Sequence, residues 1–274
     1  MKFVYALLFM LLSFNMAYSQ QDTIVTNNEK IVCSIKEITS DAVRYSYPGE
    51  DLINTIYKNT IEKITFKSGR VQKFAESTSF KTITGPADYE NVSVTKVESE
   101  IHGLYKLASV SSKAKGTTTY SNMERVKERA YRKLKMEAAM QGANVVFLTQ
   151  QGTQGNQIGT NYQAGRTTET NLDGIAYTNK IPNFEEFNAK VKGNTQYSVI
   201  TRLKLWSSGT DMVTDDFNDV LTISRITNES GLIMVDGTIP KIKETKFRVA
   251  YLGVNRFVLV YEDKSTIYNL VVAL

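Results

Sequence analysis

The 274-residue chain holds one Cys and one His, and that scarcity closes off much chemistry. A single thiol, Cys33, cannot form an intramolecular disulfide, so the fold must be held by core burial and assembly instead of cross-links. A single imidazole, His102 in EIHGLY, has no G-x-S-x-G turn beside it, so the nucleophile–base pair of a serine hydrolase is missing. Pairing Cys33 with His102 would require spanning two expected domains. Structural zinc needs several Cys or His ligands together, and no segment supplies them. The glycines at 152, 155, 159 and 165 lack both the G-K-[ST] ending and the strand-to-helix setting of a phosphate loop. No motif implies a cofactor or a metal.

Long apolar runs are equally scarce. The first, Phe3 to Phe14 (FVYALLFMLLSF), follows Lys2 and precedes Ala17-Tyr18-Ser19, the small-x-small form that signal peptidase reads. Residues 1–19 are therefore expected to be a secretory signal peptide cleaved near Ser19, which sends the chain to the periplasm or the cell exterior. The run falls well short of the roughly 20 residues that span a bilayer, and no later run approaches that length, so no membrane span is expected in the mature chain. No Cys stands at the cleavage site to be lipidated. Removing Lys2 leaves 32 basic against 28 acidic residues, a net charge of +4. That balance describes an ordinary solvated surface and gives no support for nucleic-acid binding.

What is present is patterned for β-structure. From residue 20 to 82, short segments such as TIVT, KIVCSIKEI, AVRYSY, LINTIY and ITF alternate apolar and polar residues between turns rich in Asn, Asp, Pro and Gly. The alternation predicts a small five-stranded barrel-like module or sandwich. Its core candidates are Ile31, Cys33, Ile35, Ile38, Val43, Tyr45, Ile53, Ile56, Ile61, Ile64 and Phe66. The pattern resembles the short N-terminal β-module of many exported Bacteroidota proteins, a resemblance that covers about 50 residues and implies no activity.

Gly85-Pro86 marks the next boundary, and residues 83–182 read as an α+β domain. NVSVTKV and LYKLASVSSKAKG predict two strands. The stretch Ser121 to Gln141 then predicts an amphipathic helix. Ser121 would be its N-cap and Glu124 would complete a capping box. Met123, Val126, Ala130, Leu134 and Ala138 share one face, while Lys127, Arg129, Arg132, Lys133 and Lys135 occupy the solvated ones. Gly142 stops the helix, and Ala143 to Leu148 continues as a buried strand. The stretch AYRKLKMEAAMQGANVVFLT, with Gly174-Ile175-Ala176-Tyr177 as a closing strand, resembles a group of small bacterial envelope domains. The group includes the outer-membrane lipoprotein sensor of the Rcs stress pathway and the small heavy-metal-binding type. The segment lacks the sensor's Cys residues, and the domain's lone His and missing Cys leave nothing to ligate a metal. Neither activity carries over. Between these strands, residues 150–173 are rich in Gly, Thr, Asn and Gln and read as a mobile loop or a long hairpin arm.

Residues 183–274 begin with a short helix candidate, NFEEFNAKVKG, that places Phe184, Phe187 and Val191 on one face. Five or six antiparallel strands are expected to follow. Leu270 to Leu274 should be paired, since an open apolar strand invites aggregation. The expected whole is an α+β, predominantly antiparallel β protein of three small modules.

Two acidic clusters invite a chemical reading. Glu185-Glu186 sits at a helix start, where carboxylates oppose the helix dipole. Asp211, Asp215, Asp216 and Asp219 do not fit the spacing of a calcium loop. The leading expectation is an exported, non-enzymatic envelope or periplasmic protein that binds a protein partner or a ligand. Gln157, Tyr162 and Arg166 of the 150–173 arm are its candidate contact residues. The alternatives are an acid/base hydrolase on an envelope polysaccharide, which would require two facing carboxylates, and a structural component of a secreted assembly.

Overall fold

The computed structural model describes residues 21–26, 29–74, 80–159 and 164–274. The expected signal peptide and Tyr162 lie outside the described residues. The chain divides into two compact units between Phe74 and Ala75.

In the first unit, β1 (Asp22–Thr26), β2 (Lys30–Ile38), β3 (Ala42–Ser46), β4 (Asn54–Tyr57), β5 (Ile61–Thr65) and β6 (Val71–Lys73) form one sheet in the order β4-β3-β2-β1-β5-β6. That is one strand more than the sequence pattern suggested. Among the described residues β4 and β6 are its edges, so no barrel closes. Register shifts at Val25/Thr26 and Ile35/Glu37 bend the sheet around Ile24, Ile31, Cys33, Val43, Tyr45, Ile61 and Ile64. Ile35, Ile38, Ile56 and Phe66 pack at the rim of that core. Ile53 does not join it and is 49% exposed, because it precedes the first paired residue of β4. A buried carboxylate fastens the sheet: Asp22 accepts the Ile35 amide at the β2 shift and the Lys67 amide beyond β5, at 2.9 and 2.8 Å. Two charge-assisted bonds offset its desolvation.

The second unit opens with a 3-10 turn, Pro86–Asn91, whose Pro stands at its first position. A four-stranded sheet follows, built from β7 (Ser93–Thr95), β8 (Tyr105–Lys115), β9 (Val145–Gln154) and β10 (Glu169–Thr178) in the order β7-β9-β10-β8. Helix α1 (Met123–Met140) carries the chain from β8 to β9, both antiparallel to the β10 strand between them, a split β-α-β crossover.

The helix begins one residue later than expected. Asn122 is the N-cap, its side chain accepting from the Arg125 amide at 3.0 Å. Ser121 instead accepts from the Thr118 amide in the preceding turn, at 3.1 Å. Moving the cap by one residue puts Arg125 at the third helical position, so Glu124 completes no capping box. Met123 consequently falls outside the buried face and is 46% exposed.

Val126, Ala130, Leu134 and Ala138 are buried, and Ala130, Leu134 and Ala138 share a core with Val110, Val146, Leu172 and Ala176 of the sheet. A second stripe, Lys133, Met136 and Met140, is also buried, because α1 is covered on its other side. Met136 and Met140 pack against Leu205, Ala250, Tyr251, Val258, Val260 and Ile267. Those residues belong to a closed antiparallel barrel of β11 (Gln196–Trp206), β12 (Val213–Glu229), β13 (Leu232–Thr238), β14 (Lys246–Leu252), β15 (Arg256–Asp263) and β16 (Thr266–Ala273). Lys133 is therefore not solvated as expected: its ammonium donates to the Ser207 carbonyl in the β11–β12 turn.

Period-two alternation fills the barrel with Val199, Phe217, Leu221, Val235, Phe247, Leu259, Leu270 and Val272, so it is a packed core. Helix α2 (Phe184–Val191), capped by Asn183 on the Glu186 amide, closes one end. Phe187 is fully buried there and meets Phe257 edge-on at 5.2 Å. The final strand is paired on both sides, with β11 and β15, which closes the barrel and leaves it no edge.

Candidate functional site

On either side of residues 160–163, which lie outside the described residues, the 150–173 segment pairs as the two sides of a hairpin arm. Strands β9 and β10 pair from Tyr177↔Val145 to Glu169↔Gln154 with one register shift at Asp173/Gly174, and the pairing reappears at Gln157↔Arg166, whose amides and carbonyls exchange bonds at 2.8 and 2.9 Å. Asn156 anchors the arm. Its amide nitrogen donates to the Ser121 carbonyl at 2.8 Å, while its oxygen accepts from the Thr168 amide and hydroxyl at 2.8 and 2.9 Å. Thr168 is fully buried, and its carbonyl accepts the Gly116 amide at 2.7 Å. The arm thus rests against the turn that starts α1. Its backbone bridge brings Gln157 and Arg166 together, and both residues are exposed. Ile158 on the arm is 76% exposed, and Tyr120 and Met123 beside the helix start are 83% and 46% exposed.

The seam between α1 and the barrel is polar at its centre. A helix leaves its last four carbonyls without helical partners, and here every one is met. The Ala138 carbonyl accepts the Ala143 amide and Ala139 the Gly142 amide, both at 2.9 Å, the two bonds of a Schellman stop. Ala139 also accepts the Tyr251 hydroxyl. Met140 accepts Asn269 Nδ2, and Gln141 accepts Arg248 Nη2, both at 2.9 Å. Arg248 places a cation at the negative end of the helix dipole. Burial lowers its pKa only to about 10, so it stays charged at neutral pH.

Glu137 lies in the same seam. Burial lifts its pKa to about 7, and the charge of Glu262 adds to the shift. One Glu137 oxygen accepts the Ser111 amide at 3.2 Å, and Glu262 accepts Gln141 Nε2 at 2.6 Å. Both carboxyls are thus engaged by groups of the fold.

The end of the barrel away from α2 carries charge, which sequence reading did not bring together. In β11, Arg202, Lys204 and Trp206 recur every second residue, and Arg202 and Lys204 stand opposite Leu270 and Tyr268 of β16. Asp215 of β12 accepts Lys204 Nζ at 2.6 Å and Arg202 Nη2 at 3.2 Å. These bonds hold its pKa below the usual carboxylate range. The Arg202 guanidinium lies 4.8 Å from the Phe217 ring, and Lys204 Nζ lies 5.1 Å from that of Trp206, both cation–π distances. Tyr261 and Tyr268 stack at 4.8 Å, and burial pushes Tyr261 up to about 12. The sequence signal was the spacing within TRLKLW, where period two puts both cations and the indole on one face.

The remaining candidates are dispersed. Asp211 pairs with Arg132 at 2.6 Å and Asp219 with Lys241 at 3.2 Å, so the acidic run is divided among separate cations. Among the described residues no three His, Cys, Asp or Glu side chains are placed to hold a metal. Cys33 is buried, and burial raises its thiol to about 11, with the Asp22 charge contributing. It is therefore a protonated, unreactive thiol. His102 follows a 3-10 turn, Glu98–Ile101, in the other unit. Among the described residues no helix is long and apolar enough to cross a membrane. Compared with known proteins, the chain matches no family model, no curated protein and no solved structure.

Proposed function

We propose that the protein is an exported, non-enzymatic envelope or periplasmic protein that captures a protein partner through the β9–β10 arm. The observation that carries the reading is the anchoring of the arm. Asn156 ties its root to Ser121 and Thr168, while Gln157, Ile158 and Arg166 remain exposed beyond that root. A pre-ordered arm loses less conformational entropy on binding than a free loop would. Exposed Tyr120, Met123 and Ile158 offer the apolar and aromatic contacts that recognition surfaces favour. The expected leader at residues 1–19 supports the location, as does the resemblance of the middle segment to small envelope domains.

The test must leave the sheet intact. Removing 152–172 would take the fully buried Thr170 and Leu172 out of the core, so only the tip is replaced. Residues 158–165 are exchanged for Asn-Gly, which closes a two-residue turn across the Gln157–Arg166 pair. The variant should keep the thermal midpoint of the parent while losing a photo-crosslinked envelope adduct formed from position 157. An adduct of equal yield and identity from the variant refutes the role of the arm.

A further inference from the structure

We propose that the barrel mouth remote from α2 is a binding site for a small monoanion, a carboxylate carried on a flat ring, held by Arg202 and Lys204 against Trp206. Three observations converge on it. First, the charges of the trio do not cancel: Arg202 and Lys204 share the single carboxylate of Asp215, leaving one positive charge in surplus among these three groups, while the Asp263 and Glu244 carboxylates act on the neighbouring Tyr261. A carboxylate neutralises that surplus, whereas a dianion would overshoot it. Second, donors outnumber acceptors. A guanidinium and an ammonium carry eight N–H groups, and Arg202 Nε is buried without a hydrogen-bond partner. Buried donors of charged groups are rarely left so, and a small shift of the guanidinium turns this one toward an incoming oxygen. Third, the walls are aromatic. Trp206 is 38% exposed, and Tyr268 continues the surface into its stack with Tyr261.

The rest of the barrel sets the limit of the site. Ile239 and Ile242, from the β13–β14 connection, pack with the interior side chains, so a ligand stops at the mouth. Asp215 occupies the position a ligand carboxylate would share, and it therefore acts as an internal competitor. This arrangement makes an unusual prediction for the Asp215 variant, since a merely structural ion pair and a binding site respond in opposite directions.

The experiment uses the full chain and isothermal calorimetry, with the fluorescence of Trp206, the only Trp in the sequence, as a second readout. The probe is benzoate. Benzyl alcohol serves as the uncharged control and inorganic phosphate, at a mildly alkaline pH where HPO4²⁻ predominates, as the dianion. Benzoate should bind saturably, the alcohol should not, and phosphate should bind at least about tenfold more weakly than benzoate. Lys204→Gln and Arg202→Gln should each weaken benzoate about tenfold, the scale of one charge-assisted contact. Asp215→Asn should tighten it severalfold. If Arg202→Gln fails to fold, Lys204→Gln carries the same prediction. Absence of saturable benzoate binding in both the parent and Asp215→Asn overturns the proposal. Unchanged affinity in Lys204→Gln overturns it as well, and equal binding of phosphate overturns the choice of a carboxylate.

Discussion

Gly142 joins α1 to β9 at the point where helix, sheet and barrel meet, and replacing it with alanine tests the whole seam. Its φ of +80° is left-handed, and a Cβ added there would stand 2.8 Å from the Ala250 carbonyl oxygen of β14. The first feature alone costs an L-residue about 1 to 2 kcal/mol. The second adds an overpacking cost of about 1 to 3 kcal/mol, because the obstacle is a barrel backbone atom and cannot rotate away. Relief would require α1 to lift from β14, lengthening the bonds from Tyr251, Asn269 and Arg248 to the helix carbonyls. Gly193 provides the control: it has φ +86° in the same unit and nothing within 4 Å of its would-be Cβ. Gly193→Ala should therefore show the backbone cost alone, about 1 to 2 kcal/mol, and Gly142→Ala about 2 to 5 kcal/mol. Urea unfolding followed by Trp206 fluorescence reads both, since the only Trp lies in the second unit. If the two variants lose stability equally, the close approach of helix and barrel carries no weight and the seam is described wrongly.

Two further outcomes follow from buried carboxyls. Asp22→Ala removes the acceptor of the Ile35 and Lys67 amides, so it should destabilise the first unit by about 2 to 4 kcal/mol. Hydrogen exchange at those two amides should quicken together, and unchanged protection would contradict the assignment. Glu137 has its folded pKa raised from 4.5 to about 7, so its unfolded form loses a proton first as the pH rises. Stability of the second unit should be highest below about pH 4.5 with respect to this group, fall between 4.5 and 7, and level off above. The half-open side of the seam limits the loss to about 2 kcal/mol. Glu137→Gln should flatten the profile, and a decline of the same size in the variant would place its origin elsewhere.

The parts of this fold that were legible in the sequence are those set by local chemistry. Alternation in QYSVITRLKLW and the final YNLVVAL reads as strand because side chains on a strand point alternately to opposite faces, and glycine after α1 reads as a stop because it tolerates positive φ. The helix itself was only half legible. The Val126–Ala130–Leu134–Ala138 stripe announced one partner, but Met136 and Met140 are apolar enough for a core and isolated enough to pass for surface. Lys133 argued openly for solvent. Only the barrel behind α1 gives these three residues a second buried face, and nothing local encodes which distant element will arrive there. The same reasoning governs the candidate sites. Asn156 anchors the arm through Ser121 and Thr168, partners 35 and 12 residues away. Asp215 meets Arg202 and Lys204 because, beyond the register shift at Val199/Thr201, β11 and β12 set Arg202 opposite Asp215, and a slip of one residue would turn both cations to the other face. Residue type and spacing thus carry the faces of each element. Which faces meet, and therefore which charges share a recess, is decided by closure of the sheets.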